Sequence, residues 1–163
     1  VLGVDASELG VAQATQNAAL NGMSDRVRFA CRDVFELLPE LERKGEKFDL
    51  VILDPPAFTK SRASVKKAVT GYREINLRGI KLVKNGGYLA TCAFLASDAV
   101  LLVSDVSMNA IEGAQLFIAL WEDARRRLRQ VEYRTQSPDH PVLWGADQSL
   151  YLKFYIFQVV EET

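Results

Sequence analysis

Phe48 to Leu53 is a strongly apolar predicted strand, with an unbroken apolar run from Leu50 to Leu53, and it ends abruptly at Asp54-Pro55-Pro56. A continuous apolar run is typical of a strand that is buried on both faces, as in a parallel sheet covered by helices. The prolines cannot continue the strand because they lack a backbone N–H. We therefore expect Asp54 at the carboxyl end of a strand, where open α/β sheets bind their ligands.

The rest of the chain alternates between strand-like and helical patterns. Repeated strand-helix units predict an α/β fold, Rossmann-like and doubly wound, with a mostly parallel sheet and an antiparallel strand near the C-terminus. Asn85-Gly86-Gly87 is expected to close the third helix. Strands are predicted at residues 1–4, 26–31, 48–53, 88–94, 131–133 and 150–159, and helices at 8–20, 34–44 and 65–83, with a fourth helical region that ends near the basic run 125–129.

Size and charge narrow the class of protein. A chain of 163 residues that is 48% hydrophobic can bury its own core, and we expect a single domain over residues 1–163. Its formal net charge of -1 gives no general attraction to nucleic acid, so such binding would need a local basic patch. No apolar stretch reaches the roughly 18 residues of a membrane span, and two cysteines do not suggest a disulfide framework. We expect a cytoplasmic protein with no membrane contact and, lacking a Cys/His set with ligand spacing, no metal.

Three carboxylates follow predicted strands, each where the strand ends. Asp5 follows the first strand, Asp33 the second and Asp54 the third. Because the carboxyl ends of parallel strands meet at one edge of a sheet, we expect all three at the same rim. There one carboxylate can accept both hydroxyls of a ribose, and another can accept the exocyclic amine of adenine. The alternative is that Asp5 and Asp33 only cap the helices that follow them.

Six motifs follow one another along the chain, namely Gly3-Val4-Asp5-Ala6-Ser7, Asn17-Ala18-Ala19-Leu20-Asn21-Gly22, Asp33-Val34-Phe35, the run 48–58, Tyr72-Arg73-Glu74-Ile75-Asn76 and Pro138-Asp139-His140-Pro141-Val142. In this order they resemble the S-adenosylmethionine-dependent methyltransferases of the 23S ribosomal RNA 5-methylcytosine type. The combination is specific, although Asp-Pro-Pro-aromatic alone also occurs in amino-group methyltransferases, and it covers the chain except about residues 95–130. The resemblance implies S-adenosylmethionine as cofactor and RNA as partner, ribosomal RNA in this family; it leaves the oligomeric state open, a homodimer included.

The resemblance also implies a role for each matched residue at the rim. Asp5 with Ala6 would hold the cofactor ribose, and Asp33 with Val34 would hold the adenine. Asp54 would lie by the reactive methyl group of the cofactor and hold the target base, which is a catalytic role. The residues implied to contact the RNA substrate are Pro55, Pro56, Phe58, Lys60 and His140.

Two of these substrate contacts have ordinary alternatives. Lys60 belongs to a basic group that could bind phosphates beside the site or could equally form a solvated helix face. His140 lies in a proline-bounded loop, where a single histidine more often packs or caps than catalyses. The other members of the basic group are Arg62, Lys66, Lys67 and Arg73.

The chemistry of the family requires a cysteine. Carbon 5 of cytosine is a weak nucleophile until a thiolate adds to carbon 6 and turns the ring into an enamine. A carboxylate near ring nitrogen 3 would stabilise the developing charge, and Asp54 suits that role. Alignment from Gly86-Gly87 places Phe94 where the family has its cysteine, and Cys92 lies two residues earlier. Cys92 is the candidate nucleophile, and the alternative is a small buried core residue.

A second departure concerns the first predicted strand. Residues 1–4 match the second strand of the family, so the family's first strand and Gly-rich turn are not in this sequence. We expect the C-terminal part of a longer protein; the alternative is a rearranged domain in which residues 99–106 fill the gap. Two other functions stay open, namely methyl transfer to an exocyclic amino group and a catalytically degenerate domain that binds RNA or protein.

Overall fold

The computed structural model of the protein describes residues 1–55, 65–93, 127–135 and 153–160, and the side chains of all of these except 65–69, 92, 93, 135, 153 and 154. The chain divides into two compact units, Val1–Lys44 and Gly45–Thr163. Strands and helices both occur in each unit, so the α/β class predicted from the sequence is confirmed. No helix among the described residues is long and apolar enough to cross a membrane.

The first unit is a two-stranded sheet with two helices. Its elements are β1 (Leu2–Asp5), α1 (Glu8–Leu20), β2 (Arg28–Cys31) and α2 (Val34–Arg43). β1 and β2 are parallel, with Asp5 opposite Cys31. Gly3 allows the ring of Phe29 to pack against β1, since a Cβ at this position would lie 2.6 Å from Phe29 Cδ1.

Both helices of this unit begin at capping side chains. Ser7 Oγ accepts a hydrogen bond from the backbone N–H of Gly10 at 3.1 Å at the start of α1. Asp33 Oδ1 accepts one from the N–H of Phe35 at 2.7 Å at the start of α2. Each bond satisfies one of the N–H groups that the first turn of a helix leaves without an intrahelical partner. The helix starts predicted next to Ser7 and Asp33 are confirmed.

An ion-pair cluster joins the end of β2 to α2. Glu40 lies 2.9 Å from Arg32 Nη2 and 2.6 Å from Lys44 Nζ. The hydrogen bond from Lys44, followed by that from Arg32, lowers the pKa of Glu40 to about 2. Surface ion pairs of this kind add little to stability. The helix is therefore held mainly by its buried leucines, Leu37 and Leu38.

The second unit is built on a four-stranded mixed sheet. Its elements are β3 (Phe48–Leu53), α3 (Val65–Leu82), β4 (Val83–Ala93), β5 (Arg127–Thr135) and β6 (Lys153–Val160). The strand order is β3-β4-β6-β5, with β3 and β4 parallel and β6 antiparallel to both of its neighbours. The antiparallel strand predicted near the C-terminus is confirmed, and it lies between two strands. The described strands thus form two sheets, one in each unit.

Helix α3 covers one face of this sheet. A Cβ added to Gly79 would lie 2.7 Å from Leu53 Cδ1 and 3.4 Å from Leu89 Cδ1, so the helix backbone lies directly on β3 and β4. On the opposite face Leu50 is 51% exposed and Ile52 is 64% exposed. The prediction that this strand is buried on both faces is therefore wrong for the described structure. β3 is an edge strand here, and α3 packs against it from one side only.

The glycine turn at residues 85–87 lies inside β4. Helix α3 and strand β4 follow one another directly, and the register between β3 and β4 shifts between Phe48 and Leu50. Gly86 has a φ of 79°, a left-handed conformation that favours glycine. The prediction that this turn closes the helix is wrong. Val83 already pairs with Phe48 of β3, and the turn contains the extra residues of β4 before the next pair, Leu50 and Tyr88.

Contacts from two neighbouring strands hold this turn. Lys84 Nζ lies 2.9 Å and 3.0 Å from the two carboxylate oxygens of Asp49 on β3. The hydrogen bond from Lys84 is the main reason that the pKa of Asp49 is lowered. From the other side, Gln158 Nε2 on β6 donates to the backbone oxygen of Gly86 at 3.0 Å. The turn is thus fixed by the sheet around it.

The basic run at residues 125–129 also differs from its prediction. Arg127 and Arg129 lie in β5 and are exposed, whereas Leu128 between them is only 5% exposed. This alternation is what a strand with one buried face requires. The predicted helix end is wrong for residues 127–129, because pairing with β6 outweighs the helix propensity of Arg and Leu. Residues 125 and 126 lie outside the described residues.

We expect Gly87→Ala to destabilise the second unit by about 1–3 kcal/mol, the usual cost of overpacking. A Cβ at this position would lie 2.8 Å from the backbone oxygen of Asp49 and 2.9 Å from Val83 Cγ1. Urea unfolding followed by circular dichroism measures the loss. Gly10→Ala is the control, since its Cβ would meet nothing closer than 3.4 Å and alanine favours a helix. Equal losses in the two variants would contradict the close contact at Gly87.

We expect Asp33→Ala to cost about 1 kcal/mol of stability because it removes the N-cap of α2. Asp33→Asn keeps a side-chain oxygen that can accept the hydrogen bond from Phe35, and it should lose less than half as much. Thermal unfolding of the two variants beside the wild-type protein makes the comparison. If both variants lost the same stability, the negative charge and not the hydrogen bond would be the stabilising feature.

Candidate functional site

The first unit carries two of the predicted site carboxylates at one rim. Asp5 is the last residue of β1, and Asp33 follows the end of β2 by two residues. The two strands are parallel, so their carboxyl ends meet at the same edge. The backbone N–H of Arg32 donates to the backbone oxygen of Asp5 at 3.0 Å, which carries the pairing one residue further. Asp5 and Asp33 therefore share a rim.

Asp5 is exposed, and one of its carboxylate oxygens is already engaged. Its Oδ1 accepts a hydrogen bond from the N–H of Ser7 at 2.7 Å, which orients the carboxylate at the turn into α1. Its Oδ2 makes no hydrogen bond or ion pair within the described part of the chain. The neighbouring Ala6 accepts a contact from Cys31 Sγ through its backbone oxygen at 3.5 Å. A carboxylate held in this way presents a free acceptor to a ligand hydroxyl.

Asp33 has the same arrangement one strand further along. Its Oδ1 caps α2, and its Oδ2 makes no hydrogen bond or ion pair to the described residues. Val34, the first residue of the helix, is half-buried beside it. The capping role that the sequence left open as an alternative is thus what the structure shows for this carboxylate. Capping uses one oxygen, so it leaves the other available to accept the amine of a ligand.

The rim of the second unit carries Asp54. This residue follows β3 directly and is exposed, while Pro55 beyond it is buried. Leu53 lies opposite Thr91 in the parallel register of β3 and β4. The next residues along the two strands are Asp54 and Cys92, and neighbouring strands are about 4.8 Å apart. The backbones of Asp54 and Cys92 therefore lie side by side at one edge.

The other predicted site residues lie wholly or partly outside the described structure. The backbone of Cys92 is paired with Phe154 of β6, and its side chain lies outside the described atoms. The position at which the family has its cysteine is outside the described residues as well. The predicted site residues that lie there are Pro56, Phe58, Lys60, Phe94 and His140.

Sequence reasoning did not single out the buried polar side chains behind the Asp54 rim. Asn76 of α3 is 4% exposed, and its Nδ2 donates to the backbone oxygen of Tyr72 at 2.9 Å. Thr91 of β4 and Tyr155 of β6 lie opposite each other and are 0% and 1% exposed. Burial, with Tyr133 as the second cause, raises the pKa of Tyr155 to about 12. The sequence signals that could have indicated them are an Asn within the apolar stripe of a predicted helix and a Thr within a predicted apolar strand.

The two rims offer hydrogen-bond acceptors to a polar ligand. At each rim an exposed carboxylate stands at the end of a parallel strand, where it can accept hydrogen bonds from hydroxyl or amine groups. Within the residues that the structure describes, no group of three His, Cys, Asp or Glu side chains could hold a metal ion. The described rim residues suit recognition of an organic ligand by hydrogen bonds.

Two curated proteins with the same name are similar to this chain. Ribosomal RNA large subunit methyltransferase I from Alteromonas mediterranea is 34% identical over 163 residues, which are 99% of this chain and 38% of that protein. The protein of the same name from Aeromonas salmonicida is 35% identical over 158 residues, or 94% of this chain and 36% of that protein. The chain thus spans less than two fifths of the length of the curated relatives it matches.

Solved structures share the fold. A protein from Streptococcus mutans described as a SAM-dependent methyltransferase superposes with a TM-score of 0.69 at 17% identity, over 97% of this chain and 38% of that chain. A protein described as a methyltransferase complexed with SAH gives a TM-score of 0.66 at 18% identity, with the same two coverages of 97% and 38%. The protein-family model described as a methyltransferase domain matches residues 1–146, which is most of the chain. This chain therefore belongs to the methyltransferase domain family.

Proposed function

We propose that this chain is the catalytic domain of an S-adenosylmethionine-dependent methyltransferase that acts on RNA, at carbon 5 of a cytosine in large-subunit ribosomal RNA. The observation that carries the proposal is the 34% identity to a ribosomal RNA large subunit methyltransferase over 99% of this chain. An alignment of that extent includes both carboxylate rims. The domain would act in the cytoplasm as part of a longer protein, in keeping with the greater length of these relatives.

In this proposal the first unit holds the nucleoside part of the cofactor. S-adenosylmethionine supplies the methyl group from its sulfonium centre. Asp5, beside Ala6, accepts the ribose hydroxyls, and the hydrogen bond from Ser7 fixes the carboxylate for this. Asp33 accepts the adenine amine through the oxygen that does not cap α2, and Val34 packs against the ring.

The second unit holds the base. Asp54 is exposed at the end of β3, where it can contact the target cytosine and stabilise charge at ring nitrogen 3. The buried Pro55 directly after it ends the strand and keeps this carboxylate at the rim. Contacts of Pro56, Phe58, Lys60 and His140 with the RNA rest on the family resemblance alone.

The reaction needs a nucleophile, and Cys92 is the candidate. Its thiolate adds to carbon 6 of cytosine, and carbon 5 then takes up the methyl group. Loss of the proton from carbon 5 expels the thiolate and restores the ring. The backbone of Cys92 lies in the strand next to Asp54, and this adjacency supports the assignment.

Methyl transfer to an exocyclic amino group is the second candidate. Phe94 occupies the position where the family has its cysteine, and this observation favours a reaction that needs no thiolate. In that reaction the amine attacks the methyl group directly, and Asp54 accepts its hydrogen bond. The cofactor contacts at Asp5 and Asp33 would be the same. A catalytically degenerate domain that only binds RNA or protein is the remaining alternative.

We expect Asp5→Ala to weaken binding of S-adenosylhomocysteine to the full-length protein about tenfold or more, because a charged acceptor for two hydroxyls is lost. Isothermal titration calorimetry measures the change. Asp25→Ala removes another exposed carboxylate of the same unit and should leave binding unchanged. Asp54→Ala should reduce turnover far more than it weakens this binding. Equal affinity in wild type and Asp5→Ala would refute the ribose assignment.

We expect RNA that contains 5-fluorocytosine to form a covalent adduct with the full-length protein, because the fluorine prevents the last elimination. The adduct is detected by denaturing gel electrophoresis, and Cys92→Ser should abolish it. Cys31→Ser, at the exposed cysteine of β2, is the matched control and should leave it intact. Methyl transfer to RNA without any adduct would favour the amino-group reaction. RNA binding with neither adduct nor methyl transfer would favour the degenerate domain.

A further inference from the structure

Two polar atoms between α3 and its sheet lack a hydrogen-bond partner among the described residues. They are Asn76 Oδ1 on the helix and Thr91 Oγ1 on β4. Asn76 is 4% exposed and Thr91 is 0% exposed, so bulk water does not reach them. Leaving a buried acceptor or hydroxyl without a partner is costly, and native proteins almost always supply one.

Both atoms belong to the same end of the same interface. Gly79 lies over Leu53 and Leu89, which fixes where α3 crosses β3 and β4. Asn76 precedes Gly79 by three residues, nearly one helical turn, and so it shares that helix face, about 4.5 Å further along. Thr91 follows Leu89 by two residues and shares that strand face, about 6.6 Å further along. Because α3 runs from the end of β3 back to the start of β4, both steps lead towards the carboxyl ends of the strands.

We propose that Asn76 Oδ1 and the Thr91 hydroxyl bind one buried water molecule at this interface. The amide of Asn76 is already oriented, because its Nδ2 donates to the backbone oxygen of Tyr72 at 2.9 Å. A water can donate to Asn76 Oδ1 and also exchange a hydrogen bond with the hydroxyl. Buried waters typically make about three such bonds. Tyr155, opposite Thr91 on β6, places a third polar group next to the threonine.

The bound water links α3 to the strands that carry the candidate site. Thr91 lies opposite Leu53, and the next residue on that strand is Asp54. The bridge therefore holds the helix against the strand ends and keeps the Asp54 carboxylate at its place on the rim. Asn76 and Thr91 are positioning residues in this account, since they lie behind the rim. The inference is independent of the proposed reaction, because its test needs no methyl transfer.

A double-mutant cycle on the full-length protein tests the bridge. Amide hydrogen exchange of β4, measured by mass spectrometry, gives the equilibrium constant for opening of this strand. We expect Asn76→Leu to raise that constant about tenfold or more in the wild-type background, because the hydroxyl of Thr91 loses its partner. In the Thr91→Val background the same change should raise it less than about threefold. The hydrogen bond from Asn76 to Tyr72 is lost in both backgrounds, so its contribution cancels when the two effects of Asn76→Leu are compared.

Thr91→Ser is the matched control, because it removes a methyl group and keeps the hydroxyl. Asn76→Leu should have the same effect in this background as in the wild type. If Asn76→Leu fails to fold, Asn76→Ala gives the same comparison. Equal effects of the Asn76 change in the wild-type and Thr91→Val backgrounds, within about twofold, would overturn the proposal. A slower exchange in Thr91→Val alone would also overturn it, since that result identifies an isolated unpaired hydroxyl.

Discussion

The parallel pairing of β3 and β4 beneath α3 is the constraint on which the second unit depends. Gly79 has no side chain, and this lets the helix lie directly on Leu53 and Leu89. The parallel register then places the residues after Leu53 and Thr91 at one edge, which brings Asp54 next to the backbone of Cys92. A larger residue at position 79 would push the helix away from both strands. The candidate site thus rests on packing that occurs one to three residues behind it.

Helix capping by a carboxylate of the first unit leaves that side chain able to bind a ligand, although sequence reasoning treats the two roles as alternatives. Asp33 Oδ1 accepts a backbone hydrogen bond at 2.7 Å that caps α2, whereas Asp5 Oδ1 accepts one at 2.7 Å from Ser7, the residue that caps α1. The same bond fixes the direction of Oδ2, and a fixed acceptor loses less entropy when it binds a ligand. These hydrogen bonds therefore prepare both side chains for the nucleoside contacts that we propose.

Features that depend on neighbouring residues alone were predictable. Ser7 and Asp33 mark helix starts through bonds to residues two or three positions away, and the structure has both. Features that depend on partners distant in sequence were not predictable from the sequence. The turn at Gly86 lies inside a strand because Asp49 and Gln158 hold Lys84 and the turn from either side. Residues 127–129 of the basic run belong to a strand because β6, which comes later in the chain, pairs with them.

The sequence alone determined the α/β class, the strand that ends at Asp54-Pro55 and the family, because apolar periodicity, proline and motif order are local properties of the chain. Only the tertiary structure decided that β6 lies between β4 and β5 and that Leu50 and Ile52 face outward. It alone also placed Asn76 and Thr91 in a buried interface, behind the rim that carries Asp54. Burial and pairing depend on which segments meet in space, and the order of residues does not record this.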